Sequence, residues 1–218
     1  VNHSRDLQRH IFCFETSDRF EVRECIAENL DFARNESSAS CAGLFGLHAS
    51  LSLSEETLAR VAKVIGGLPI HVHVAESLED EEECAAKYGK RIVQRFNDHG
   101  LLNRNALLAH CVHIDESEAE IIARQGCIIA VNPTSNLNNS VGLPNYGLFN
   151  RFDIPVIIGN DSLGTNLTRD YLNMLYGMHL RMNSAWKFSD ENLLHCIQKV
   201  YDYTSTILGI KIGRIAPG

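Results

Sequence analysis

The sequence predicts an α/β fold in which parallel strands alternate with helices, and the number of these units predicts a partial (β/α)8 barrel. Short apolar runs recur along the 218 residues, and most are followed by a segment with helical periodicity. The runs are apolar almost throughout, which is typical of strands buried on both faces of a parallel sheet. About six units fit in the chain, whereas a complete barrel has eight strands in about 250 residues. We therefore expect a barrel that lacks its first strands.

Six segments have the apolar character of such strands. They are residues 10–19, 44–50, 68–76, 106–114, 127–136 and 154–161, of which the first has the weakest pattern. Two long helical patterns follow the last segment. Ser52 and Glu55 are spaced as a capping box at the start of one helix, and Asp115 and Glu118 have the same spacing at the start of another.

The helix predicted after residue 76 begins with the acid-rich tract 78–83 and runs to Gly100. Acidic side chains near the start of a helix are favoured by the helix dipole. Lys87, Lys90 and Arg91 then balance the tract at helical spacing. We expect this tract to be a solvated helix start without a role in function.

Composition excludes several classes of partner. The net charge is −7 and the isoelectric point is near 5.8, which disfavours binding to nucleic acid or an anionic membrane. No apolar stretch approaches the roughly 20 residues that span a bilayer, and the first residues lack a signal-peptide core. The seven cysteines show no C-x-x-C pair, so we expect reduced thiols in a cytoplasmic protein.

Polar side chains that can bind metals or transfer protons gather at the ends of the predicted strands. They are Glu15, Asp18, His48, His73, Glu76, His110, His113, Asn132, Asn136 and Asp161. In βα proteins the carboxyl ends of the strands meet at one face and carry the active site. We therefore expect His48, His73, His110 and Asp161 to converge on that face.

Two of the histidines near these strand ends have a simpler structural interpretation. His71 lies two residues before His73, on the same face but one layer deeper, where a hydrogen-bonded core histidine is expected. His113 is expected in the loop between a strand and the next helix. A separate structural role for every strand-end residue is less plausible than one shared site.

The motifs at these positions resemble the amidohydrolase superfamily. They are "HVAE" (73–76), "LLAHCVH" (107–113), "NPTSNLNNSVG" (132–142) and "IIGNDS" (157–162). More narrowly, they resemble the aminohydrolases, deaminases and chlorohydrolases that act on purines, pterins, triazines and adenosyl compounds. The pair "FETSDR" and "NNSVG" is similar to an aminohydrolase group linked with selenium metabolism. The closing "LGIKIGRIAPG" is similar to the segment where such chains leave the barrel, which divides the chain into a barrel portion (1–210) and the start of a β-sandwich (211–218).

The resemblance implies a hydrolytic site with one divalent metal ion, most often Zn²⁺, with Fe²⁺ or Mn²⁺ as alternatives. It implies that His73 and Asp161 bind this ion. It also implies that Glu76 transfers protons in an H-x-x-E signature, that His110 polarises the attacking oxygen or the substrate, and that Asp161 takes a proton.

The same resemblance implies a small heterocyclic substrate contacted by His48, His110 and Asn136, and a homo-oligomeric enzyme. His48 also counts against a dihydroorotase-type site, which usually places a carboxylated lysine on that strand. Members of that family have the sequence G-T-D where this chain has Gly159-Asn160-Asp161.

The first strand of the family carries a metal-binding H-x-H pair, and nothing before residue 48 offers one. Two interpretations therefore stay open. The sequence is either an interior fragment of a larger aminohydrolase or a degenerate chain that serves as a binding or assembly subunit.

Overall fold

The computed structural model describes residues 8–163 and 166–215. The start of the predicted barrel portion (1–210) and the end of the predicted β-sandwich segment (211–218) therefore lie outside the described residues. The strands are β1 (His10–Phe12), β2 (Cys41–Gly43), β3 (Phe45–Ala49), β4 (Ile70–Val74), β5 (Leu107–His110), β6 (Ile128–Val131) and β7 (Val156–Ile158). The helices are α1 (Val22–Asn35), α2 (Glu55–Val64), α3 (Leu78–Tyr88), α4 (Ile92–Asp98), α5 (Glu116–Gln125), α6 (Pro133–Asn138), α7 (Tyr146–Arg151), α8 (Leu167–Arg181) and α9 (Asp190–Leu208). A short 3-10 helix, Ser50–Ser52, follows β3.

All strand pairs are parallel. Strands β3, β4, β5, β6 and β7 form one sheet in sequence order, and β1 pairs with β2. Backbone hydrogen bonds from Thr16 to Gly46 and from His48 to Thr16 extend the β1 segment alongside β3. Six segments of chain therefore lie side by side in the order in which they occur, as right-handed βα units require.

The predicted α/β class with a parallel sheet is confirmed, but the barrel does not close within the described residues. Helix α9 contacts β7 at one edge of the sheet and β1 and β2 at the other. Leu44, Ile157 and Tyr203 belong to one buried apolar cluster there, and the Tyr203 hydroxyl donates to the carbonyl of Asn105. A helix thus packs against both edges where a complete barrel would have strands.

Each strand presents its two faces to different surroundings. In β4, Ile70, Val72 and Val74 are buried in the main core with the helices, whereas His71 and His73 point to the opposite side. This alternation follows from the two-residue period of a strand. It places the histidines on the inner side of the curved sheet.

Two predicted helix boundaries were wrong. Helix α2 starts two residues later than expected, because the Ser54 hydroxyl, and not Ser52, accepts from the Thr57 amide as the N-cap. The helix expected to continue to Gly100 breaks at Gly89, which adopts φ 67° and ends α3. The capping box of Asp115 and Glu118 is present as predicted.

The prediction of a fully solvated acidic tract is wrong at Glu81. This side chain is buried between α3 and α4, where its Oε2 accepts from the Ile92 amide. Burial and the neighbouring Glu118 carboxylate raise the pKa of Glu81 to about 8, although Arg91 partly offsets them. Arg91 Nε donates to Glu118 Oε2 at 2.7 Å. This ion pair links the start of α4 to α5.

Candidate active site

Four side chains that the sequence placed at strand ends lie together at the carboxyl end of the sheet. The ring centroids of His48 and His73 are 5.6 Å apart, and those of His73 and His110 are 5.3 Å apart. Asp161, three residues beyond β7, has its Oδ2 3.9 Å from His110 Nε2. One cluster therefore joins residues from β3, β4, β5 and the end of β7.

The backbone is strained where these strands end. Four residues have φ between 47° and 72°, a backbone region that residues other than glycine rarely adopt. They are Ala75, His110, Cys111 and Asp161. Each such residue costs on the order of 1–3 kcal/mol, and residues of this kind cluster at functional sites. The amides of Cys111 and Val112 donate to the carbonyls of Val74 and Ala75, which holds the sharp turns of two neighbouring strands together.

His110 is buried, and its two nitrogens have different surroundings. Nδ1 lies 2.7 Å from the amide oxygen of Asn136. Because that oxygen can only accept, Nδ1 carries the hydrogen. Nε2 is buried without a hydrogen-bond partner, 3.6 Å from Glu76 Oε2 and 3.9 Å from Asp161 Oδ2. Nε2 therefore faces the two carboxylates without a hydrogen-bond partner.

Both carboxylates are held by hydrogen bonds. The Asn139 amide nitrogen donates to Glu76 Oε1 at 3.1 Å, and the Ser162 backbone amide donates to Asp161 Oδ1 at 2.8 Å. Partial burial would raise the pKa of Asp161, but hydrogen bonds from Ser135 and Ser162 and the nearby histidines lower it below its ordinary value. Asp161 is therefore an anion at neutral pH.

The histidines of β4 are neutral. Burial, followed by the neighbouring His110 and His48, lowers the pKa of His73, so its ring keeps a lone pair for a metal ion. Burial lowers the pKa of His71 to about 4, and its Nδ1 is hydrogen-bonded to Cys13 Sγ at 3.0 Å. His71 thus has the deeper, hydrogen-bonded place that the sequence predicted.

The tautomer of His48 is set by a serine in the 3-10 helix. Its Nδ1 lies 2.7 Å from the Ser52 hydroxyl, and that hydroxyl donates to the carbonyl of Ala49. Because the hydroxyl has one hydrogen, His48 Nδ1 must be the donor to Ser52, and Nε2 is the ring nitrogen left for other partners. His48 lines the same cavity as His73, Glu76 and Asp161.

That cavity has a volume of about 300 Å³, near the lower end of the range for small-molecule sites. The carboxylate of Asp80 and the apolar side chains of Leu51 and Leu163 also line it. A small heterocycle is compatible with this size. Asn136 is buried beneath His110, where its amide oxygen is paired with His110 Nδ1 and its amide nitrogen has no hydrogen-bond partner among the described residues.

The donors at this site are of the right chemical kind for a divalent metal ion. Imidazole nitrogens and carboxylate oxygens suit zinc, iron and manganese. The buried, unpaired His110 Nε2 between two carboxylates is a polar arrangement that a cation and its water would satisfy. Among residues 8–163 and 166–215, no three His, Cys, Asp or Glu side chains are grouped closely enough to hold a metal ion.

The chain also matches a family of known proteins. A model of the amidohydrolase family matches residues 9–218, which is almost the whole chain. The chain belongs to the amidohydrolase family. The resemblance carried by the strand-end motifs is thereby confirmed.

Curated relatives in this family include deaminases. The chain is 34% identical over 141 residues to the 5'-deoxyadenosine deaminase of Methanopyrus kandleri, covering 61% of this chain and 33% of the relative. It is 32% identical over 169 residues to the 5-methylthioadenosine/S-adenosylhomocysteine deaminase of Caldicellulosiruptor saccharolyticus, covering 76% of this chain and 38% of the relative. The matched part of the chain thus spans 33% to 38% of the length of these relatives.

Solved structures share the fold. An adenosine deaminase from Xanthomonas campestris with bound zinc superposes with a TM-score of 0.82 at 20% identity, covering 92% of this chain and 48% of that protein. The guanine deaminase of Escherichia coli gives a TM-score of 0.77 at 19% identity, covering 93% and 49%. No helix among the described residues is long and apolar enough to cross a membrane.

Three residues that contact the site were missed by the sequence analysis. Ser52 bonds to His48, Asn139 bonds to Glu76, and Ser135 lowers the pKa of the neighbouring Asp161. The only signal in the sequence was the unusually polar run 132–140, in which Ser135 and Asn139 are spaced by one helical turn. That spacing puts both on one face of a helix but does not say which partner the face meets.

Proposed function

We propose that this site belongs to a metal-dependent hydrolase that removes an amino group from a heterocycle of the adenosyl, purine, pterin or triazine type. The observation that carries the proposal is the placement of His110 Nε2 between the carboxylates of Glu76 and Asp161 at the strand ends. A base and an acid on either side of one small space are what a hydrolytic deamination requires.

His73 and Asp161 are the proposed metal ligands, with zinc as the first candidate and iron or manganese as alternatives. When bound, such an ion lowers the pKa of a coordinated water from about 15.7 to about 7. The neutral ring of His73 and the anionic carboxylate of Asp161 both have the protonation state that a metal ligand needs.

The chain's own side chains would handle the protons. Both protons come from the attacking water: Asp161 would accept them in turn, and Glu76 would relay one to a ring nitrogen and the other to the amine, which leaves as ammonia. His110 Nε2 accepts a hydrogen bond from the attacking oxygen, since its Nδ1 hydrogen is already given to Asn136. His48 Nε2 accepts from a donor group on the substrate.

The relatives support this choice of reaction, because their names describe deaminases of 5'-deoxyadenosine, methylthioadenosine and S-adenosylhomocysteine. The structural likeness further supports the proposal that the open sheet corresponds to part of a (β/α)8 barrel. We also propose that residues from 211 onward begin a separate segment.

Ammonia release tests the proposed function. Full-length natural protein loaded with zinc is incubated with 5'-deoxyadenosine, methylthioadenosine and guanine, and ammonia is measured by a coupled assay. We expect turnover of at least one substrate, with its loss in the Glu76→Gln variant. Absence of ammonia from these and from pterin and triazine substrates, with the metal bound, would overturn the proposal.

A further inference from the structure

The helix after β6 contacts three of the proposed catalytic side chains through three polar residues. Ser135 bonds to Asp161, Asn136 to His110 and Asn139 to Glu76. Asn139, the C-cap of α6, lies one turn beyond Ser135.

The amide nitrogen of Asn139 connects both carboxylates. One of its hydrogens points to Glu76 Oε1 at 3.1 Å, and the other points to the Ser135 hydroxyl oxygen at 3.4 Å. The Ser135 hydroxyl in turn lies near enough to the Asp161 carboxylate to lower its pKa, and both residues line the same cavity. A single NH2 group therefore bonds to Glu76 directly and to the hydroxyl that neighbours Asp161.

The orientation of this amide follows from the chemistry of its partners. A carboxylate can only accept, so the nitrogen of Asn139 and not its oxygen must face Glu76. The oxygen is on the other side, where it accepts from Asn138 Nδ2 at 3.0 Å. With Oε1 of Glu76 engaged, Oε2 is the atom left facing His110 Nε2 at 3.6 Å.

We propose that Asn139 is a positioning residue that holds the carboxylates of Glu76 and Asp161 at a fixed separation on either side of the reacting group. The inference rests on the proposed function for the identity of the reaction. Misplacing a reacting group by about 1 Å can cost on the order of 100-fold in rate. Asn139 would act on the chemical step, because it orients the groups that move protons and does not itself carry one.

Kinetics of two variants in the full-length zinc-loaded protein test the inference. Asn139→Leu keeps much of the side-chain volume and removes both donors, and we expect kcat to fall at least tenfold while KM stays within twofold. Asn150→Leu makes the same change at an exposed asparagine of α7, away from the site, and should leave kcat within twofold. A large rise in KM for Asn139→Leu would overturn the inference, because it would mean that Asn139 binds substrate.

A double-mutant cycle tests whether Asn139 and Ser135 act in one chain. Ser135→Ala breaks only the branch to Asp161, so its effect on kcat should be less than additive with that of Asn139→Leu. Full additivity, with kcat falling independently for each, would contradict the linkage of the two carboxylates through Asn139.

A crystal structure of Asn139→Leu supplies a readout that needs no activity. We expect the Glu76 carboxylate to leave its position beside His110, while unfolding temperature changes little because Asn139 is exposed. An unmoved Glu76 would overturn the inference. If the wild-type protein releases no ammonia, the proposed function fails, and this structural comparison still decides the role of Asn139.

Discussion

His110 Nε2 lies 3.6 Å from Glu76 Oε2, and no hydrogen-bond donor or acceptor satisfies it within the described residues. The two residues are 34 positions apart and come from neighbouring βα units, β4 and β5. Because Nδ1 of the ring donates to Asn136, Nε2 is the nitrogen that faces Glu76. This contact connects the proposed proton-transferring acid with the residue that polarises the reacting oxygen.

Glu76→Gln is expected to abolish deamination while leaving metal content nearly unchanged. Gln keeps the size of the side chain but cannot transfer a proton, a role that typically contributes about 10²- to 10⁴-fold in rate. Turnover and bound zinc are measured on the same preparation. Loss of zinc from this variant would mean that Glu76 is a metal ligand.

Asp161→Asn is the complementary variant, and it should lower both turnover and metal occupancy. The change removes an anionic oxygen that lies near His110 and is stabilised by the Ser162 amide. Metal analysis after dialysis separates this result from that of Glu76→Gln. Full zinc occupancy in Asp161→Asn would contradict the proposed ligand set.

The 218-residue chain by itself is expected to bind zinc weakly. His73 and Asp161 are the two proposed ligands, whereas a catalytic zinc site usually has three protein ligands. Zinc retained after extensive dialysis is measured by atomic absorption, with a His73→Ala chain as the control. Stoichiometric, tightly held zinc that His73→Ala does not reduce would contradict the assignment.

Glu81 should make the protein less stable as the pH rises. Burial and Glu118 raise its pKa from 4.5 to about 8, so the folded state favours the protonated carboxyl. Its contribution to the free energy of unfolding is full below about pH 4.5 and is lost as the pH rises through about 8. Urea denaturation at pH 5 and pH 8.5 measures this difference.

The Glu81→Gln variant should reduce that pH dependence, because the ionisable group is gone. Glu83→Gln, an exposed change on the same helix, is the matched control and should leave the dependence as in the wild type. An unchanged pH dependence in Glu81→Gln would contradict the raised pKa.

Arg95→Ala should destabilise the fold through a buried charge network. The guanidinium is 1% exposed, donates to the carbonyls of Ser50 and Leu53, and forms an ion pair with Glu55. Removing the guanidinium leaves the carbonyls of Ser50 and Leu53 without this donor, which costs about 1–3 kcal/mol for each buried acceptor. Chemical denaturation measures the loss, and Arg124→Ala, an exposed change, should cost less than about 0.5 kcal/mol. Similar values for the two variants would contradict this role of Arg95.

The sequence alone predicted the features that depend on local periodicity and on strand ends. Apolar runs predicted the parallel strands, because a strand buried on both faces must be apolar along its length. The strand-end motifs predicted the family and the group formed by His48, His73, His110 and Asp161, since parallel strands deliver their carboxyl ends to one face.

Only the tertiary structure decided which partners the polar side chains meet. Asn139 and Glu76 are 63 residues apart, and no local pattern links an exposed asparagine on α6 to the end of β4. Likewise, Glu81 has the spacing of a solvated helix residue but is buried, because α4 folds back over α3 after the turn at Gly89. Burial and hydrogen bonding between distant segments arise from packing, whereas helix and strand periodicity arises within each segment.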